Sequence, residues 1–121
     1  MFERNQRKFI RVTYQCSLTL WEKGGFSTIM ANTVNIGVGG ILVNLDRGLM
    51  VGAKVDIKMD FPNKTVLECC GRVQRCKEYT EQEDISKNFF SVAIVFEDLN
   101  ESQKLLIKTQ VDKFLSQQNI F

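Results

Sequence analysis

Lys54-Val55-Asp56-Ile57-Lys58-Met59-Asp60-Phe61 alternates without a break between charged and apolar side chains. Period two puts Val55, Ile57, Met59 and Phe61 on one face and the charged residues on the other. That is the pattern of an antiparallel strand wet on one side only. Pro62-Asn63 ends it, because proline cannot donate to a ladder and asparagine accepts turn geometry. Beyond that break, Thr65 to Lys77 reads as a further strand with Leu67, Cys69 and Val73 on one face. Glu78 to Asp84 reads as an acidic, solvated connection, and Phe89 to Phe96 as a strand apolar on both faces, hence central or covered. Toward the N-terminus lie a short strand from Ile41 to Leu45 and another from Phe26 to Val34, the latter preceded by a hairpin turn at Lys23-Gly24-Gly25. The first strand, Val12 to Trp21, sets Val12, Tyr14, Cys16, Leu18 and Leu20 against Thr13, Gln15, Ser17 and Thr19.

Six strands separated by turn residues, with no helix between them, predict antiparallel pairing in a closed barrel or a sandwich. The chain ends differently. Asn100-Glu101-Ser102-Gln103 has the capping-box pattern, and Ile107, Val111, Phe114 and Leu115 follow at helical spacing. An amphipathic helix is therefore expected from Glu101 to about Gln118, its apolar stripe on the barrel. At 121 residues the chain is read as one domain. It divides into a flexible basic arm over 1–11, a barrel over 12–97 and a C-terminal helix over 100–119.

Composition narrows the function. No apolar run reaches the ~20 residues of a membrane span, and the first residues lack a signal-peptide stretch, so a cytoplasmic protein is expected. Cys16, Cys69, Cys70 and Cys76 include no C-x-x-C pair, and histidine is absent. This is a poor set for zinc and leaves out the commonest acid–base group, so neither a metal site nor a catalytic site is expected. The charge is unevenly placed. Residues 1–11 hold four cations (Arg4, Arg7, Lys8 and Arg11) against Glu3, a net +3, while the remaining twelve cations and thirteen anions net −1. A basic arm of this kind meets phosphates. A nucleic-acid groove needs surplus positive charge distributed beyond the arm, and there the charge of this chain is slightly negative.

Two short elements carry chemistry. Arg7-Lys8-Phe9-Ile10-Arg11 is an R-x-x-x-R just ahead of the first strand, and Asn35-Ile36-Gly37-Val38-Gly39-Gly40 joins the second and third strands. Taken with the six strands and the final helix, they make the chain similar to the PilZ domain family. That family joins an R-x-x-x-R arm to a D/N-x-S-x-x-G turn on a six-stranded antiparallel split barrel. Gly71-Arg72-Val73 and the run Val92 to Leu99 extend the resemblance over nearly the whole chain. The resemblance implies an all-β fold with a C-terminal helix and a receptor for cyclic di-GMP. By that likeness Arg7 and Arg11 are the principal ligand residues, Asn35, Gly37 and Gly40 complete the second motif, and Arg4, Lys8 and Gly39 are accessory positions. The likeness also implies no catalytic residue, metal or cofactor beyond the ligand. The output would be a changed surface offered to a downstream protein partner, without nucleic acid or membrane insertion.

The chemistry suits such a ligand. A guanidinium can fork onto guanine O6 and N7 or onto a phosphate, and can stack on a purine. Asparagine offers an acceptor and a donor to a guanine edge. In an extended arm Arg7 and Arg11 stand ~13 Å apart, on opposite sides of a bulky ligand. Gly37 departs from the family pattern, which has serine there. One neutral hydrogen bond is worth roughly 0.5–1.5 kcal/mol, so its loss predicts binding weaker by about two- to tenfold. The alternative reading of the same departure is a PilZ-like adaptor for protein assembly that has lost the nucleotide.

Overall fold

The computed structural model describes residues 11–12, 16–22, 28–80 and 88–118. They form β1 (Arg11–Val12), β2 (Ser17–Glu22), β3 (Thr28–Gly37), β4 (Gly40–Leu45), β5 (Lys54–Asp60), β6 (Val66–Thr80), β7 (Asn88–Glu97) and α1 (Glu101–Gln118). The order around the sheet is β1-β3-β2-β5-β6-β7-β4, every pair antiparallel, and a further β3–β4 pairing closes it. The result is a six-stranded barrel, β3-β2-β5-β6-β7-β4, with the two residues of β1 added at the end of β3.

The alternating residues quoted first do line the interior. Val55, Ile57, Met59 and Phe61 are buried, and Leu18, Leu20, Ile41, Val43, Leu67, Val73, Val92 and Ile94 meet them there. Burying each such side chain is worth about 1.5–3 kcal/mol, which is why the period of the strands dictates the closed wall. The expected capping box forms. The Asn100 amide N–H donates to Gln103 Oε1 at 3.0 Å, and the Gln103 N–H donates to Asn100 Oδ1 at 2.8 Å. Gln103 Nε2 also donates to the Glu68 carbonyl at 2.9 Å, fastening the start of the helix to β6. Ile107 and Val111 then close onto the core, with Phe114 and Leu115 packed beside them.

Three boundaries differ from expectation. The strand expected from Val12 to Trp21 is divided, with Val12 in β1 beside the end of β3 and Ser17 to Trp21 in β2. Glu78, Tyr79 and Thr80 continue β6 rather than opening a loop, because β7 begins at Asn88 and pairs with them. The Tyr79 and Phe89 rings, opposite each other, stack at 5.3 Å. Asn35, Ile36 and Gly37 likewise belong to β3, and only Val38 and Gly39 remain between β3 and β4.

Two irregularities interrupt the ladders. The β3–β4 register shifts between Thr33 and Asn35, and the β6–β7 register shifts between Val73 and Arg75. Each is one extra residue, Val34 and Gln74, and such a bulge reverses the alternation beyond it.

Candidate functional site

The bulge at Val34 decides where Asn35 lies. Thr33 is buried opposite the buried Val43, and unbroken alternation would carry Asn35 inward as well. The extra residue instead sets Asn35 opposite Leu42 on the outer face and brings Ile36 back to the core opposite Ile41. A polar residue is thereby kept out of the barrel, where burial without partners costs about 1–3 kcal/mol. Asn35 is nevertheless not idle surface. Its Oδ1 is shielded from solvent and has no hydrogen-bond partner among the described residues. A shielded acceptor lacking a donor fits the N–H edge of a guanine.

Thr33 also holds the strand that follows the basic arm. Its Oγ1 accepts a hydrogen bond from the Cys16 amide at 3.0 Å, and its own N–H donates to the Cys16 carbonyl at 3.1 Å. Just before this point the chain pairs as β1, with Arg11 opposite Gly37 and Val12 opposite Ile36. The second arginine of the R-x-x-x-R therefore enters the sheet directly beside the position where the family carries serine. The fold thus brings together Arg11, Asn35 and Gly37. Arg4, Arg7 and Lys8 lie outside the described residues.

Gly40 has a demand of its own. A Cβ there would collide with the Ile94 carbonyl oxygen and lie 3.2 Å from Val95 Cα, so this glycine permits β4 to close on β7. Gly39 accepts a hydrogen bond at its carbonyl from the Phe96 amide at 3.0 Å. Next to the turn is a cavity of about 370 Å³, lined by Val38, Gly39, Val95, Phe96 and, from the first turns of the helix, Lys104. The glycine turn and the helix start thus share one space. The sequence did not single out Leu42 and Val95, which carry the outer surface beside Asn35 and Gly40. They are ordinary strand residues, and only the registers place them.

The remaining reactive groups are quiet. Burial pushes the Cys16 thiol up to about 11 and the Cys69 thiol up to about 12, so both stay protonated at neutral pH. No metal-binding cluster occurs among the described residues. Arg72 Nε donates to Glu97 Oε2 at 2.8 Å, and this hydrogen bond holds the Glu97 carboxyl below its usual range.

The sequence matches the family model for the PilZ domain over residues 5–113. No curated protein matches it. Among solved structures, the PilZ domain of YcgR from Escherichia coli with c-di-GMP aligns at a TM-score of 0.76 and 10% identity, over 93% of this chain and 96% of that one. The Bacillus subtilis inhibitor of motility MotI (DgrA) aligns at 0.71 and 16% identity, over 92% of this chain and 52% of that one. The present chain thus spans about half the length of MotI. The PilZ domain of CeSA from a cellulose-synthesizing bacterium aligns at 0.61 and 14% identity, over 88% of this chain and 98% of that one. At such identities the structural likeness is one of fold.

Proposed function

The chain belongs to the PilZ domain family, and from that premise we propose that it is a bacterial, cytoplasmic receptor for cyclic di-GMP that regulates a partner protein rather than catalysing a reaction. The observation that carries this reading is Asn35. Its shielded Oδ1 lacks a donor among the described residues, and it lies two residues from the Gly37 that pairs with Arg11. A guanine edge supplies the donors, and the arginines of the arm supply the forks for the base or the phosphates.

Regulation follows from where the turn sits. Val38 and Gly39 share a cavity with Lys104 of the helix, so a ligand that orders the turn alters the surface at the start of α1. No helix among the described residues is long and apolar enough to cross a membrane.

Isothermal titration with cyclic di-GMP tests the reading. Wild type should bind, and Arg7→Ala and Arg11→Ala should each weaken binding by about ten- to a hundredfold, the range of a lost charge-assisted pair. Gly37→Ser, which restores the hydroxyl, should tighten it by about two- to tenfold. Absence of heat from wild type at tens of micromolar ligand would overturn the proposal in favour of the adaptor.

A further inference from the structure

The β3–β4 pairing that closes the barrel takes in only the later part of β3, from Thr33 opposite Val43 to Ile36 opposite Ile41. Over Thr28–Asn32, β2 is the one strand paired with β3 among the described residues. A strand has two edges, so these five residues keep an open row of backbone groups where the barrel splits. The end of β6 is also paired on one side only, but it carries Arg75, Lys77 and Glu78, and charges of this kind keep edges apart. Thr28-Ile29-Met30-Ala31-Asn32 has no charge, no proline and no glycine. Its ladder with β2 runs evenly from Thr28 opposite Trp21 to Asn32 opposite Ser17, so no bulge twists the edge away. Met30, in the middle, is 80% exposed.

The face beside this edge is equally neutral. Ile29 is in the core, and the exposed Thr28, Met30 and Asn32 stand opposite Trp21, Thr19 and Ser17 of β2. Across the next ladder charge returns, with Asp56, Lys58 and Asp60 of β5. A tryptophan and a methionine on a surface cleared of charge match the composition of an interface centre.

Symmetry selects the partner. Two copies of one strand meet antiparallel about a two-fold axis, which sets the central residue against itself and pairs the others symmetrically about it. A charge at the centre would face its own like and oppose the pairing. About Met30 the pairs are Met30 with Met30, Ile29 with Ala31, and Thr28 with Asn32, all neutral. The Ser17 hydroxyl donates to Asn32 Oδ1 at 3.4 Å, which leaves the Asn32 amide N–H groups for the Thr28 hydroxyl of the other copy.

We propose that Thr28–Asn32 is a self-association edge, on which a second copy of this chain docks antiparallel about a two-fold axis at Met30 and joins the two barrels through one continuous sheet. The edge is ~17 Å long. It is short beside the roughly 20–30 residues a side of a standard interface, so the dimer is weak, forming at about tens to hundreds of micromolar. None of the five residues belongs to the arm or the glycine motif, so the dimer needs no nucleotide.

The test is sedimentation equilibrium of the full chain without nucleotide, from about 5 μM to about 1 mM. Wild type should pass from monomer to dimer. Met30→Lys should weaken the dimer at least about tenfold, because it sets like charges face to face at the axis. Leu105→Lys, which removes a 63% exposed apolar side chain from α1, should stay within about twofold of wild type. The sharpest result comes from a mixture. Met30→Lys and Met30→Glu should each associate poorly alone and pair with one another when combined, since the axis sets position 30 against itself. Hydrogen exchange needs no variant: the wild-type amides of Thr28–Asn32 should exchange more slowly at about 1 mM than at about 10 μM. A wild type that stays monomeric at about 1 mM, a dimer that Met30→Lys leaves intact, or a mixture of the two charged variants that does not associate would each overturn the proposal.

Discussion

Strand β6 pairs with β5 from Val66 to Arg72 and with β7 from Cys70 to Thr80, so from Arg75 onward it has β7 alone. The first half is barrel wall. Leu67, Gly71 and Val73 face the core, and a Cβ at Gly71 would lie 2.7 Å from Ile94 Cγ2 and 2.8 Å from the Val95 carbonyl oxygen. The second half is exposed at Arg75, Lys77, Glu78, Tyr79 and Thr80. The change comes where β5 starts, at Lys54 opposite Arg72, and where Gln74 bulges two positions later. One strand thus serves two purposes: alongside β5 its inward side chains pack in the core, and beyond the end of β5 most of its side chains are exposed.

Substitutions should divide along the same line. The largest effect is expected from Leu67→Ala, which should lower stability by about 2–5 kcal/mol in urea denaturation while the folded fraction keeps its nucleotide affinity. Gly71→Ala should follow at about 1–3 kcal/mol, because neither Ile94 nor the Val95 carbonyl has room to withdraw. A loss well under 1 kcal/mol in either would break the division.

Titration sharpens it. The folded Cys69 thiol is raised from 9.0 to about 12, so its contribution to stability is complete below pH 9 and drains away as pH rises toward 12. Alkaline denaturation should show this loss, and Cys69→Ala should flatten it. Glu97 has the opposite sign. Its folded carboxyl sits below the ordinary value of 4.5, so the stability it confers is present above that value and fades as pH falls through the lowered one. Arg72→Gln should remove that acid dependence with a modest effect at neutral pH, as expected for a half-exposed pair. Smaller than the packing substitutions should be the thermal shift of Tyr79→Ser, a change of roughly 0.5–1.5 kcal/mol, since the residue is 40% exposed and gives up little beyond its stack with Phe89. Differential scanning calorimetry of this variant beside Gly71→Ala measures the contrast directly.

Much of this was legible in the residues. The alternation of Lys54–Phe61, the proline break at Pro62 and the capping box at Asn100–Gln103 are local signals that the structure bears out, whereas Val12–Trp21, read as one strand, is divided between β1 and β2. The R-x-x-x-R and the glycine motif identified the family. The limits of the strands were less legible. Glu78–Thr80 looked like loop because polar residues carry no sign of pairing, yet an antiparallel neighbour suffices to keep them extended. Asn35–Gly37 looked like a turn for the same reason, and its pairing with β1 and β4 makes it strand.

The arm and the glycine turn, as sequence, establish a family and its chemistry only as a likeness; what the amino acids determined by themselves is the period of each strand, the position of the helix cap and the clustering of positive charge before the first strand. Only the tertiary structure decided which face Asn35 and Arg75 occupy. A one-residue bulge leaves the local period intact on either side of it and inverts its phase. Phase has physical meaning only against a partner strand, and the partners here, Val43 for Thr33 and Ile94 for Val73, stand ten and twenty-one residues away.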